Sequence, residues 1–401
     1  MKHLRILHFL TDDKFLDTVI RNHDSIRKDV INYYVLTLKS GENKEDYKFQ
    51  YIKDHNRVVL LYTDEIIGFV NQNLINAIII HSLLSAPIEV IPEIKNNIPI
   101  LWVAWGYDIY QLPINKPFIE VPYIYSPLTE RYYMKFLKRK RGNLKNTLAS
   151  IRDYLEKIGI YQTKQTSKLH KTLKRINFFS GIIDMEYQLM RKNKFFQAKE
   201  SVYVYSPLEY SGVFSYPKGN NILLGNSGNF TNNHLDILNL LRSRNINENK
   251  IIMPLNYGGE ENYVSTVVSY GKKYFNTKYE PLTEFIEYGK YSELINSCSS
   301  VIIGTLRQQA MGNISLAFEK GAKVFLYKNS ILYQYFKNKG FIVYTIEDDL
   351  TKAAVASPLS ESEANYNFQL HKDLISNRWN IKAIERIYTQ FEDYIAKPKN
   401  S

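Results

Sequence analysis

Three polar residues, Arg307, Gln308 and Gln309, stand in the run GTLRQQAMGN (304–313), just ahead of Gly312, Asn313 and a stretch of helical spacing. One cation and two amides before a helix start suit a diphosphate. The first turn of a helix offers unpaired N–H groups and a partial positive charge, and a guanidinium grips phosphate through two N–H groups at once. A second turn of this kind is GNSGNFTNNH (225–234), which follows the apolar run ILL and precedes LDILNLL. Here Gly225, Asn226, Ser227 and Gly228 turn a strand into a helix; the glycines let a ligand approach the backbone, and Thr231 or Asn232 is placed to cap the helix. In the first half of the chain, Asp108 in WGYDIYQLP (105–113) and His81 at the end of NAIIIHS (76–82) also fall at strand ends, where ligands of open α/β sheets sit. Each of these groups also has a purely structural reading: the glycine turns as packing, Asp108 as a cap for the chain after Trp105 and Gly106, and His81 as a satisfied core or rim histidine.

Absences narrow the chemistry. GNSG is not GxGxxG, and no acidic residue ends the next strand, IIMPLNY, to hold a ribose. There is no GxxxxGKS/T loop and no Asp-x-Asp pair, and the single cysteine, Cys298, leaves no Cys/His cluster with zinc-ligand spacing. Dehydrogenase, ATPase and metal-dependent transferase readings fall away, so neither metal nor cofactor is expected.

The elements that must position these residues alternate along 401 residues. Apolar runs at 4–10, 30–38, 57–62, 76–82 and 98–106 read as strands too continuously apolar for a one-sided sheet, with amphipathic segments near 14–23, 64–75 and 88–96 between them. After 175–190 supplies another strand and helix, NILLG, NKIIMPL, SVIIG, AKVFLY and GFIVYT repeat the alternation. The expected fold is α/β, with two Rossmann-like doubly wound domains facing a cleft. Residues 1–205 form the first domain, with a basic helical insertion at about 130–175, and 206–360 the second. Two tail helices over 361–401, anchored by Trp379, Ile384, Ile387 and Phe391, are expected to pack across both.

Charge is distributed unevenly. The net charge is +12, and the segment from Arg131 to Arg175, with 14 basic residues against Asp153 and Glu156, carries all of it. It contains KFLKRKRGNLK and then Leu144, Leu148, Ile151, Leu155 and Ile158 at helical spacing. Two readings stay open: a solvated excursion packed by that stripe, or a surface drawn to anionic lipid headgroups through Lys138, Arg139, Lys140 and Arg141. No helix-turn-helix, RRM or KH signature accompanies the charge, so nucleic acid is not an expected partner. No run of 18 apolar residues and no cleavable leader is seen.

As an ordered set, several motifs together resemble one family. They are His81, Trp105-Gly106 with Asp108 and Tyr110, the stretch around Asp184, and GNSG with Thr231, Asn232 and His234. The series continues through Pro254, Tyr257, Glu287, Tyr291, Leu294, Cys298, RQQ, Gly312 and Gly321. The chain is similar to the bacterial TDP-N-acetylfucosamine:lipid II N-acetylfucosaminyltransferases of enterobacterial common antigen assembly, which are GT-B glycosyltransferases. The likeness departs at the long basic insertion and at Glu319, where an uncharged residue is expected. It implies a TDP-sugar donor on the second domain, held by Gly225, Asn226, Ser227, Gly228, Tyr257, Arg307, Gln308, Gln309, Gly312 and Asn313, with Glu287, Tyr288 and Tyr291 near the base. It also implies a polyprenyl-diphosphate-linked saccharide acceptor on the first domain, with Asp108 or His81 as base, and a cytoplasmic enzyme peripheral to the inner face of the inner membrane. Two other classes remain: a nucleotide-sugar epimerase, for which Glu287 and Glu319 are the candidate carboxylates, and a non-catalytic nucleotide-sugar-binding protein.

Overall fold

The computed structural model describes residues 3–13, 15–110, 124–141, 164–203, 212–378 and 382–397. The chain divides into two compact units: Met1–Ile119 with Tyr154–Leu208 and Ile375–Ser401, and Glu120–Asp153 with Glu209–Leu374. In the first, β1 (Arg5–Leu10), β2 (Ile31–Thr37), β3 (Val58–Leu61), β4 (Ala77–His81), β5 (Ile100–Val103), β6 (Phe178–Ser180) and β7 (Lys199–Glu200) form a parallel sheet in the order β3-β2-β1-β4-β5-β6-β7. Ile6, Leu7, Ile78, Ile79, Ile80, Leu101 and Trp102 are fully buried, so both pleat faces are covered, as continuous apolar strands require. Strand addition reverses direction between β1 and β4, which register Leu7 against Ile78 and Phe9 against Ile80. That reversal leaves a crevice at the carboxyl ends of the two strands.

The second unit repeats the plan. Here β8 (Asn221–Leu224), β9 (Ile251–Pro254), β10 (Tyr279–Leu282), β11 (Cys298–Ile303), β12 (Lys323–Leu326) and β13 (Tyr344–Thr345) lie in the order β10-β9-β8-β11-β12-β13, again parallel, with the reversal between β8 and β11. Of these strands, β10 is the one that sequence patterning misses, because Glu280 and Pro281 interrupt its apolar run. It survives as a sheet edge, where only one ladder must be filled.

The basic segment does not stay with the first unit as expected. Helix Pro127–Arg141 belongs to the second, because Tyr125, Leu128, Tyr132, Tyr133 and Phe136 pack on the core around Phe230 and Tyr263. Its first turn is held as well: Asp236 accepts from the backbone N of Leu128 (2.8 Å) and of Thr129 (2.9 Å) and from the Thr129 hydroxyl (2.7 Å). A carboxylate there satisfies orphan N–H groups and complements the helix dipole. Positions 138–141 form the end of this helix, and the stripe from Leu144 to Ile158 lies outside the described residues. Helix Lys164–Arg175 returns to the first unit, burying Leu169, Thr172 and Leu173; the Thr172 hydroxyl donates to the Ile88 carbonyl (3.1 Å), and Lys168 pairs with Glu89. The tail splits too. Within helix Lys382–Ala396, Ile384, Ile387 and Phe391 are buried on the first sheet, whereas most of helix Glu361–Arg378 falls in the second unit; Trp379 lies outside the described residues.

Candidate active site

At the reversal point of the second unit the turn after β8 meets the turn after β11. Gly225, at φ +74°, opens the first turn, and its N–H donates to the Ile302 carbonyl (2.9 Å), which anchors it to β11. A Cβ on Gly225 would stand 3.1 Å from both Asn232 Oδ1 and His234 Nε2, so only glycine leaves the turn its tight floor. Gly228 donates to the Tyr257 carbonyl (2.9 Å) and packs against Gly259 so closely that a Cβ on either would collide with Val264. Glycines therefore serve both as hinges and as contact surfaces between the turns after β8 and β9. The helix that follows is not capped by Thr231 or Asn232. Those two lie in a single 3-10 turn capped by Asn229, whose side chain accepts from Thr231 N, and Asn233, in the left-handed region at φ 52°, starts helix His234–Ser243.

Side chains of the predicted set then tie the turns together. Thr231 donates its hydroxyl to Gln309 Oε1 (2.6 Å), Gln309 Nε2 donates to Asn226 Oδ1 (2.9 Å), and Asn226 Nδ2 donates to the Tyr257 hydroxyl (3.0 Å). Asn313 Nδ2 reaches the Gly225 carbonyl (3.2 Å) and the Tyr291 hydroxyl (2.9 Å), and burial raises the Tyr291 pKa above the ordinary phenol range. Arg307 and Gln308 are buried beside them, Arg307 donating to the Gln308 carbonyl (3.3 Å). Gly312, in the first turn of helix Met311–Glu319, has nothing within 4 Å of a Cβ placed on it, so the start of that helix faces open space. Glu287 and the partly exposed Tyr288 stand at the start of helix Tyr288–Asn296, which also carries Tyr291. Glu319 is buried at the opposite end of its helix from Gly312, about 10 Å along the axis, so it does not face that opening.

The first unit presents a different edge. His81 is fully buried, its Nε2 paired with His8 Nδ1 (3.0 Å), and His8 Nε2 is paired with Asn32 Oδ1 (3.0 Å). His23 packs against both, with its Nδ1 on the Tyr388 hydroxyl (2.8 Å). Burial lowers all three histidine pKa values, His8 to about 4, so the cluster is neutral. Asp108 is 3% exposed: Oδ2 accepts from Leu83 N (2.9 Å) and Trp102 Nε1 (2.8 Å), and Oδ1 accepts from Trp105 N (2.8 Å). Burial raises its pKa against the opposing pull of these donors. The geometry is that of the cap among its sequence readings. Among the described residues no three His, Cys, Asp or Glu side chains gather as metal ligands.

A family model described as 4-alpha-L-fucosyltransferase, glycosyl transferase group 56, matches residues 161–363, which take in the reversal point of the second unit. The chain belongs to this family of glycosyltransferases. Its fold is similar to that of a glycosyltransferase from Rickettsia africae ESF-5, with a TM-score of 0.57 and 10% identity over 100% of both chains. Sucrose-phosphate synthase from Thermosynechococcus elongatus aligns with a TM-score of 0.62 and 9% identity over 97% of this chain and 99% of that one. The Anabaena protein HepE, solved in complex with UDP and glucose, gives 0.59 and 9% over 98% and 100%. The two units thus have the GT-B glycosyltransferase fold. Within this fucosyltransferase-family chain, the structure brings Gly225, Asn226, Ser227, Gly228, Tyr257, Tyr291, Arg307, Gln308, Gln309, Gly312 and Asn313 to one edge of one sheet. Asn229 and Asn233 are the members of this edge that sequence reasoning passes over, although the clustered asparagines of GNFTNN are its signal.

Proposed function

We propose that this glycosyltransferase moves an acetamido-dideoxyhexose of the N-acetylfucosamine type from a TDP-sugar to a polyprenyl-diphosphate-linked saccharide during assembly of a bacterial surface polysaccharide. One observation carries the reading: the glycine turn 225–228, Arg307 and the open helix start at Gly312 converge at the reversal point between β8 and β11. Backbone N–H groups and a guanidinium there would neutralise a departing diphosphate, an electrostatic contribution that needs no metal. Gln309, Asn226 and Asn313 hold the turns in shape through their bonds to one another, while Tyr288 and Tyr291 stand on the neighbouring helix where a thymine would lie. The UDP and glucose bound by the Anabaena relative in fold are of the same ligand class. The acceptor falls to the first unit, and the basic helix ending at 138–141 supports contact with the anionic inner face of the membrane; no helix among the described residues is long and apolar enough to cross it.

Calorimetry tests the donor half. TDP is expected to bind in the presence of EDTA, and Arg307→Ala to weaken it by about 1.5–3 kcal/mol, the range for a hydrogen bond to a charged group. Undiminished affinity in that variant removes Arg307 from the site, and loss of binding in EDTA removes the metal-free reading. For the membrane, replacing Lys138, Arg139, Lys140 and Arg141 with Gln is expected to abolish sedimentation with anionic liposomes at low salt, because each cation near such a surface contributes about 1 kcal/mol. Sedimentation unchanged by the four substitutions places the contact elsewhere.

A further inference from the structure

The ligand edge of the second unit is completed by a segment from the first half of the chain. Asn233, fully buried and at φ 52°, is the joint. Its Oδ1 accepts from Ser126 N (2.7 Å), and its Nδ2 donates to the Gly304 carbonyl (2.7 Å). The Ser126 hydroxyl in turn donates to that of Tyr327 (3.1 Å), just beyond β12. Segment 124–129 is thereby bonded to the turns after β8, β11 and β12, and Asp236 holds Leu128 and Thr129 at its end. Apolar contacts of Leu128, Tyr132, Tyr133 and Phe136 already hold the helix that follows on the core. Directed bonds to a buried amide add what apolar contacts lack, a single position and orientation for the chain at 124–126.

The side chain so positioned is Tyr125. Ser126, Thr129 and Asn233 are buried, whereas Tyr125 stays partly exposed, its ring 4.7 Å from that of Tyr133 and 6.4 Å from that of Phe230. Burial raises the Tyr125 pKa above the ordinary phenol range and Tyr133 adds to it; the charge of Arg307 opposes both, so the guanidinium lies within electrostatic reach of the hydroxyl. One amide therefore sets two groups, because Gly304 opens the turn that carries Arg307 and Ser126 is the chain neighbour of Tyr125. We propose that Tyr125 gives its O–H to a diphosphate oxygen alongside Arg307, and that Asn233 is the positioning residue that sets these two side chains relative to each other. A neutral phenol beside a guanidinium suits that ligand: the cation supplies charge, the O–H a directed donor, and the phenol keeps its proton at any working pH. The inference rests on the proposed binding of a sugar nucleotide at this edge.

The probes are TDP and thymidine, titrated separately into the full chain, TDP by calorimetry and thymidine by saturation-transfer NMR. Tyr125→Phe keeps the ring packing and is expected to weaken TDP about tenfold, the loss of one hydrogen bond to a charged group, with thymidine binding unchanged. Asn233→Gly accepts φ 52° without strain and lacks the amide; it is expected to weaken TDP by about the same factor and again to spare thymidine. A packing fault would weaken both ligands. If Asn233 acts through Tyr125 and Arg307, the double variant is expected to fall well short of the roughly hundredfold loss that independent effects would give. TDP affinity unaltered in Tyr125→Phe, or thymidine weakened as much as TDP, overturns the role of Tyr125, and a fully additive double variant overturns that of Asn233. A wild-type chain that ignores TDP removes the donor reading itself, and this inference with it.

Discussion

Between β8 and β11 the crevice of the second unit is lined by Gly225, Gly228 and Gly312 and by amides that bond to one another at its rim. Between β1 and β4 of the first unit the corresponding turns hold a left-handed serine, a buried carboxylate and, beneath them, three neutral histidines. Both places arise from the same reversal of strand order. Glycine makes a turn by removing the side chain that would obstruct it, so that Gly225 and Gly228 give their N–H groups to the Ile302 and Tyr257 carbonyls. Asp108 makes one by collecting the N–H groups of two turns on a single side-chain carboxylate.

The contrast breaks most visibly at Asp108. Asp108→Ala strands two buried donors, Leu83 N and Trp102 Nε1, and the partly buried Trp105 N, and is expected to cost on the order of 3–5 kcal/mol in urea denaturation. Asn226→Ala, at the partly exposed rim of the second unit, is expected to cost about 1 kcal/mol. Equal losses would mean that the two edges are built alike after all.

Acid sharpens the same difference. Unfolded histidine takes up a proton near pH 6.5, whereas folded His8 does so only near 4 and His23 and His81 lie well below their ordinary value. Protons therefore favour the unfolded state: stability is full above pH 6.5 and falls as pH drops toward 4, by on the order of 3 kcal/mol from His8 alone. The second unit also buries His234 and His371, lowered to about 3 and about 4, but in separate surroundings, against the three that share one core in the first. Hydrogen exchange between pH 7 and 4.5 is expected to show the first sheet opening before the second. Simultaneous opening would deny the cluster any special weight.

Most of this architecture was legible from apolar runs, because parallel strands buried on both faces show uninterrupted hydrophobic stretches; β1, β4, β8 and β11 fall within two residues of their expected positions. The segment around 127–141 was not, since its aromatic stripe shows that it packs without showing on which unit. At the site, GNSG and RQQ announced themselves by composition. The difference between a carboxylate that faces a ligand and one that faces its own backbone depends on three donors brought together by folding, and no spacing around Asp108 reveals them.

The smallest expected effect is the most specific test of the glycine edge. Adding a Cβ at Gly304 would place it 2.6 Å from the Asn232 carbonyl oxygen, and at Gly259 2.5 Å from Val264, so alanine at either position is a packing fault whatever binds nearby. Gly312 differs, because nothing lies within 4 Å of its added Cβ and its φ is not in the left-handed region. In a helix, alanine is favoured over glycine by about 0.5–1 kcal/mol, so Gly312→Ala is expected to raise the melting temperature slightly. If a diphosphate rests on this helix start, the new methyl group stands in its way, and TDP affinity in calorimetry is expected to fall by about threefold to tenfold. Stability and affinity would then move in opposite directions in a single variant. A variant that gains stability and binds TDP as tightly as before would show that the open space at Gly312 is solvent, and that the donor is held by Arg307 and the 225–228 turn without the helix.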